Sequence, residues 1–419
     1  MPPHIEFEIN PPINGDCFVS NEPIRGFVVL KLKGPTSIVA ISIELRGTAQ
    51  TQTNDCSIRT PSGTKSYHTL VHLKQELFPA SSVRNSAMDP NRGFQMSGGE
   101  HRFCFEFLIP NRPKCVGDHG MALAGFTRDQ EEEDLRLPPS FNSGDYNQGL
   151  ARCMNSFYKS SAISYYLKAA VEIRRPRFPM RDNTCVAWEF QGFNYMPRQL
   201  PDSSVTMRTS PGLCSVFRSK RCLEMGVDFR AWIEIRASSL DRVFRLDKIF
   251  QPGSGKLDDI TLVVNKYPMT ATEFEIKKLK LGLMQVLSCY PLGRNNRTTE
   301  YIPLLETDLS LRLSIPQRTA EAGGVIELPL RLQRAGKLAG YKFNEKNMSY
   351  GENRLYSFTT CNIKREFKFS VAITVEADGR EAELEVLTNF CHIEYFSAMG
   401  IEELPKYGMI DIPPAYSNG

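Results

Sequence analysis

In the segment SYYLKAAVEI, residues 164–173, apolar and polar side chains alternate, and the same alternation returns along most of the chain. A two-residue period sends neighbouring side chains to opposite faces of a pleated strand, so one face of each such segment is built to be buried. It recurs in IEFEI (5–9), FVVLKLK (27–33), SIVAISIEL (37–45) and FCFEFLI (103–109), between turn-forming stretches such as NGD and KGPTS. A second series follows: VDFRAWIEI (227–235), DITLVV (259–264), FEIKKLKLGLMQVL (274–287), LSLRLSI (309–315), VIELPLRL (325–332), FKFSVAITVE (367–376) and EAELEVL (381–387). The pattern predicts an all-β chain. One segment, ASSLDRVFRLDKIF (237–250), has apolar residues at helical spacing, although the PGSG beside it suits a strand and turn equally well.

A sheet with one apolar face needs a second sheet against it, so two groups of short antiparallel strands predict two β-sandwiches in tandem. The length of 419 residues also exceeds what one ordinary core serves. We place the first sandwich at 1–175 and the second at 225–396, joined by a Pro- and Arg-rich stretch, 176–224, that is poor in alternation. Residues 397–419 are expected to form a short flexible tail. The stretches 113–136, with the acidic run DQEEED (129–134), and 333–353 exceed hairpin length and read as surface insertions.

The chemistry-bearing residues do not converge. Of six histidines, only His68 and His72 are close in sequence; SYHTLVHLKQEL reads as a strand, on which their even spacing puts both on one face, a metal pair with no third ligand. QPGSGK (251–256) imitates the end of a phosphate loop, but Phe250 stands where the first glycine is required and Leu257 where Ser or Thr should follow the lysine. There is no G-x-S-x-G elbow. Eleven cysteines are scattered with no C-x-x-C pair, as expected of small core residues in a reducing compartment. No catalytic residue, metal site or cofactor is expected. The net charge of +4 is a small basic excess for a nucleic-acid binder. The first residues lack a basic region followed by an apolar run, and no apolar window is long enough to cross a bilayer, so a cytoplasmic chain is expected.

Three basic clusters have two readings: solvated strand edges and linkers, or an electropositive surface for acidic peptides or phospholipid. They are Arg174, Arg175 and Arg177; Arg218, Lys220 and Arg221; and Lys277, Lys278 and Lys280. The tail holds a sharper signal, DIPPAYSNG (411–419). A proline pair cannot continue a helix or sit in a central strand, which places Tyr416 outside any packed element. Such a segment tends to a polyproline II helix, preorganised to lay two prolines in an aromatic groove. Pro413, Pro414 and Tyr416 are the candidate contact residues. LPKY, with Leu404, Pro405 and Tyr407, is a weaker second match; its alternative reading is a plain connection after the last strand.

Two regions bring a family into view. IVAISIELRGTAQT (38–51), FCFEFLIPNRP (103–113), LPPSF (137–141) and ISYYLKAAVEIRRP (163–176) resemble the core strands and the LPxSF turn of an arrestin N-terminal sandwich. LSLRLSIP (309–316) and CNIKREFKFSVAITVEADGREAELEVLTNF (361–390) are similar to the closing strands of an arrestin C-terminal sandwich. With the PPAY motif, the chain resembles the α-arrestins, the arrestin-related trafficking adaptors. That resemblance implies a non-catalytic adaptor whose PPxY motif binds WW domains of a HECT-type ubiquitin ligase. It further implies that the sandwiches engage cytosolic regions of membrane transporters or receptors, that these are ubiquitinated and endocytosed, and that the adaptor is itself open to ubiquitination. A cytoplasmic protein recruited to the plasma membrane or endosomes, with peripheral membrane association, follows from the same likeness. Arg174 or Arg175 matches the strand end where visual and β-arrestins place a buried charge network, but its acidic partners are not recognisable. Phosphate-triggered activation is therefore not carried over, and no clathrin-box-like tail is present. The competing class is an arrestin-fold scaffold in signalling or retromer-like sorting, for which the tail would be dispensable.

Overall fold

The computed structural model describes residues 3–13, 15, 17–53, 64–80, 82–83, 93–114, 136–142, 160–174, 184–197, 216–218, 223–224, 229–236, 243–245, 260–266, 273–289, 296–322, 324–332, 355–377 and 379–394. The chain is nearly all strand, as the alternation predicts. In the first half the strands are β1 (His4–Ile9), β2 (Phe18–Val19), β3 (Pro23–Leu32), β4 (Thr36–Thr53), β5 (Thr64–Phe78), β6 (Phe94–Met96), β7 (Gly99–Leu108), β8 (Phe141–Asn142), β9 (Ser160–Arg174), β10 (Thr184–Phe193) and β11 (Tyr195–Met196). The second half has β12 (Val216–Arg218), β13 (Leu223–Glu224), β14 (Phe229–Arg236), β15 (Val243–Arg245), β16 (Ile260–Lys266), β17 (Glu273–Cys289), β18 (Asn296–Ser314), a short helix α1 (Gln317–Ala322), β19 (Gly324–Pro329), β20 (Phe358–Thr359), β21 (Ile363–Ala377) and β22 (Arg380–Glu394).

In the first half, the sheet β1-β3-β7 faces the sheet β10-β9-β4-β5, to which β6 and β8 add short rungs on β4 and β9. Between them lie Ile24, Val28, Leu30, Ile41, Ile43, Leu45, Phe105, Leu167 and Val171, all buried. In the second half, β12-β14-β16-β19 and β15-β22-β21-β17-β18 enclose another core, including Leu262, Val264, Leu281, Leu283, Phe367, Phe369 and Ile373. Pairing is antiparallel except for two short rungs, β2 with β11 and β15 with β22. Burial of these alternating faces supplies the main driving force, at about 25 cal/mol per Å² of apolar surface.

Where the two-residue period breaks in the sequence, the structure bulges. In β17, Ile276 and Leu279 are both buried although three residues apart, and the register slips between Ile276 and Lys278, so Lys277 is the extra residue. Further on, the ladder with β18 slips again between Leu281 and Gly282, which faces Pro303. β18 is an edge strand, where a residue with no N–H costs little. The Tyr301 ring lies over Gly282: a Cβ there would fall 2.4 Å from the ring.

Three expectations are corrected. The stretch 176–224 is expected to be a junction poor in alternation, yet β10 within it extends the first sandwich's sheet by ten paired residues, from Thr184↔Arg174 to Phe193↔Tyr165, and β11, β12 and β13 also fall within it. The flanking Pro and Arg residues obscured the alternation of TCVAWEFQGF. His68 and His72 do not share a face. The β4–β5 ladder slips between Gly47↔Val71 and Thr48↔Thr69, so the extra residue Leu70 reverses the parity. The open choice at 237–250 resolves at Val243–Arg245 as the strand β15; the rest of that segment lies outside the described residues. Of the expected insertions, 113–136 lies outside them except for residues 113, 114 and 136, and 333–353 lies outside them throughout.

Candidate functional site

The LPPSF turn is the strut that carries one half to the other. The Pro138 carbonyl accepts from the Tyr165 hydroxyl at 2.6 Å, and Ser140 bonds Tyr195 twice, each at 2.9 Å, through its own N–H and through its Oγ. Burial pushes the Tyr195 hydroxyl up to about 12, and the Tyr165 hydroxyl is also raised by burial. Both stay neutral, and the Tyr195 hydroxyl shares a hydrogen bond with Ser20 Oγ at 2.7 Å. Held this way, Phe141 points at the second half and meets Phe358 edge-on, with ring centroids 5.3 Å apart.

Beside that contact lies Arg365 of β21, 1% exposed. Its guanidinium carbon sits 5.1 Å from the Phe141 ring centroid and 5.1 Å from that of Phe367. Its Nε and Nη2 donate to the Gln285 amide oxygen at 2.9 and 2.6 Å, and the Gln285 amide nitrogen reaches the Glu300 carboxylate at 3.4 Å. Burial raises the Glu300 carboxyl, and the Arg365 charge opposes that rise. The seam is completed by Asn362 donating to the Ala49 carbonyl at 3.2 Å and by Ser161 Oγ 2.8 Å from Cys289 Sγ. Leu287, Cys289, Tyr356, Phe358 and Ile363 of the second half therefore pack into the first half's core. No single residue in the sequence announces this arginine, because IKREFKF reads as ordinary alternation.

The basic clusters fall in different settings. Lys277 pairs with Glu376 and Glu381, Lys278 with Glu306, and Lys280 with Glu383 at 2.7 Å. Hydrogen bonds donated to the two carboxylates push the Lys277 ammonium well up, and Lys278 holds the Glu306 carboxyl below the usual range. On this face the lysines are met by at least as many carboxylates. Arg174 is exposed at the end of β9 and Arg218 lies on β12. Arg175, Arg177, Lys220 and Arg221 lie outside the described residues, as do Leu404, Pro405, Tyr407, Pro413, Pro414 and Tyr416. Among the described residues, no cluster of three His, Cys, Asp or Glu could hold a metal ion, and no helix is long and apolar enough to cross a membrane. A feature the sequence reading overlooked is the outer face of β10, where Val186, Trp188 and Phe190 are exposed. Their i, i+2, i+4 spacing was the available signal.

Comparison with known proteins gives two family models on this frame. The arrestin (or S-antigen) N-terminal domain matches residues 5–121, and the C-terminal domain of arrestin-related trafficking adapter 10 matches 211–398. The chain is similar at both ends to arrestin domains, and in its second half to that of an arrestin-related trafficking adapter. Its similarity to individual family members runs nearly end to end. The arrestin-related trafficking adapter 10 of Lachancea thermotolerans is 28% identical, covering 97% of each chain. That of Eremothecium gossypii is 27% identical over 99% of this chain and 100% of its own. The Zygosaccharomyces rouxii protein is 26% identical over 100% and 99% respectively.

Proposed function

We propose that the chain is a non-catalytic adaptor that recruits a HECT-type ubiquitin ligase to cytosolic regions of plasma-membrane transporters or receptors, promoting their ubiquitination and endocytosis. Pro413, Pro414 and Tyr416 contact the ligase's WW domain; Leu404, Pro405 and Tyr407 form a second, weaker contact. The observation that carries this reading is a PPAY motif on a chain whose relatives are named as trafficking adapters along nearly their full length. Two motifs on one segment suit tandem WW domains, since the first contact raises the effective concentration of the second to the order of millimolar. The body supplies the rigid cargo-binding part, and its sandwich halves are joined through a packed seam. Arg174, Arg175 and Arg177, with Lys277, Lys278 and Lys280, are the basic residues we assign to acidic cargo segments or anionic lipid. In this reading the adaptor is cytoplasmic, reaches the plasma membrane or endosomes with its cargo, and is itself exposed to ubiquitination.

Proximity labelling in cells tests the proposal. A HECT ligase should be labelled by the wild-type chain and lost from the Tyr416→Ala chain, with cargo labelling retained. Equal ligase labelling by both would reject it.

A further inference from the structure

Strand β10 carries Val186, Trp188 and Phe190 on the outer face of its sheet, 41%, 58% and 49% exposed. Among the described residues it is hydrogen-bonded to β9 alone. Across the sheet, Trp188 faces Ala170 on β9, and Ala170 faces Ser42 on β4, so the indole stands beside a floor of small side chains. The neighbouring row is Phe190, Lys168 and Glu44. The Lys168 ammonium lies 5.6 Å from the Trp188 ring and 5.8 Å from the Phe190 ring, and Tyr166 meets Phe190 edge-on at 5.9 Å. An indole wall, a small-residue floor and flanking aromatic rings on adjacent strands are what a polyproline II segment needs to dock its rings.

We propose that residues Asp411–Tyr416 of the same chain dock on this ridge, so that the PPAY motif is held by its own body until a WW domain displaces it. The inference rests on the reading of PPAY as a WW ligand. Topology places the tail's root nearby. β21 starts at Ile363, inside the first half's core, and β22 returns along it, pairing Cys391 with Phe367 before ending at Glu394. β22 thus ends at the seam, where Cys289 touches Ser161 of β9. From Ser161 to Ala170, beside Trp188, is roughly 30 Å of strand. Eighteen residues, 395–412, lie between Glu394 and Pro413, a reach of up to about 60 Å. Charge agrees as well: Asp411, two residues before the proline pair, brings a carboxylate to Lys168.

A tethered ligand at an effective concentration on the order of 1 mM, with an intrinsic dissociation constant of order 100 µM, weakens WW binding about tenfold. The test titrates an isolated PPxY-specific WW domain into the wild-type chain, the Trp188→Ala chain and a synthetic peptide of residues 405–419. The wild-type chain should bind about tenfold more weakly than the peptide, and Trp188→Ala should restore the peptide's affinity. Equal affinities for all three overturn the proposal. Trp188 is exposed, so the substitution leaves the core intact, and an unchanged melting temperature checks this. A second arm omits the WW domain: acrylamide quenching of tryptophan emission should rise on Tyr416→Ala, and not in a Trp188→Phe background. No rise overturns docking even where the peptide binds the WW domain. A rise with a peptide that fails to bind the WW domain sustains docking and rejects the ligase reading. Quenching that follows protein concentration instead of the tail would assign the ridge to a second copy and overturn the proposal.

Discussion

Arg365 is the residue on which the seam most depends. A guanidinium is planar, so it can lie between Phe141 and Phe367 while directing two N–H groups at the Gln285 oxygen. Arg365→Ala removes the ring contacts and both hydrogen bonds, and leaves a cavity between the halves. Urea unfolding should show a loss of about 2–4 kcal/mol. Arg365→Lys should also destabilise, since an ammonium cannot cover both rings and bond one oxygen twice. Glu300 behaves in the opposite sense. Its folded pKa is raised by burial, so its favourable contribution is complete below the unfolded value and disappears as pH rises through the folded value. Glu300→Gln, which mimics the protonated form, should therefore raise stability at pH 7, by a small amount because solvent screens the half-exposed carboxylate, with the gain vanishing toward pH 4. Equal pH profiles for the two chains would show that burial of Glu300 carries no such effect.

At the scale of elements, register is the controlling variable. Lys277 is an extra residue that lets Ile276 and Leu279 both face inward. Deleting Lys277 should turn one flank of β17 inside out and abolish soluble folding, whereas Lys277→Ala, which keeps the bulge and removes only exposed ion pairs, should leave the fold and the soluble yield close to wild type. Circular dichroism and soluble yield distinguish the two variants. This element also shows what was legible in the sequence. Strands with unbroken alternation, such as β9 and β21, are visible at once, because their period is the geometry of the pleat. The bulge at Leu70 is not, since an inserted residue there looks like an ordinary step until the partner strand is known, and the one at Lys277 leaves only the doubled lysine of IKKL as its trace. β10 was hidden for a different reason: its alternation is clear, but it sits between proline- and arginine-rich flanks that read as a junction. The PPAY motif was legible because recognition of such a segment depends on local sequence alone. The Arg365 site was not, because it is assembled from residues far apart in the chain.

On the scale of the whole molecule, ion pairs line the outer faces while apolar residues hold the interior. Glu6 and Glu106 are held below the usual carboxylate range by hydrogen bonds from Lys31 and Arg25, as Glu306 is by Lys278. Their contributions are present above the ordinary glutamate value and lost as pH falls through the lowered ones. Stability should thus decline on acidification below about pH 4. Because these pairs are exposed, their effect should be small and further reduced by salt, which melting curves at low and high ionic strength will show. In the proposed function the body and the tail divide the work: the sandwiches would supply the platform, and a short proline segment the grip. The most direct test is calorimetric titration of one isolated WW domain of a HECT ligase into the full-length chain and its Tyr416→Ala variant. Saturable binding by the wild type, weakened at least tenfold in a variant with unchanged melting temperature, is the predicted result; equal heats and affinities for both chains would contradict it.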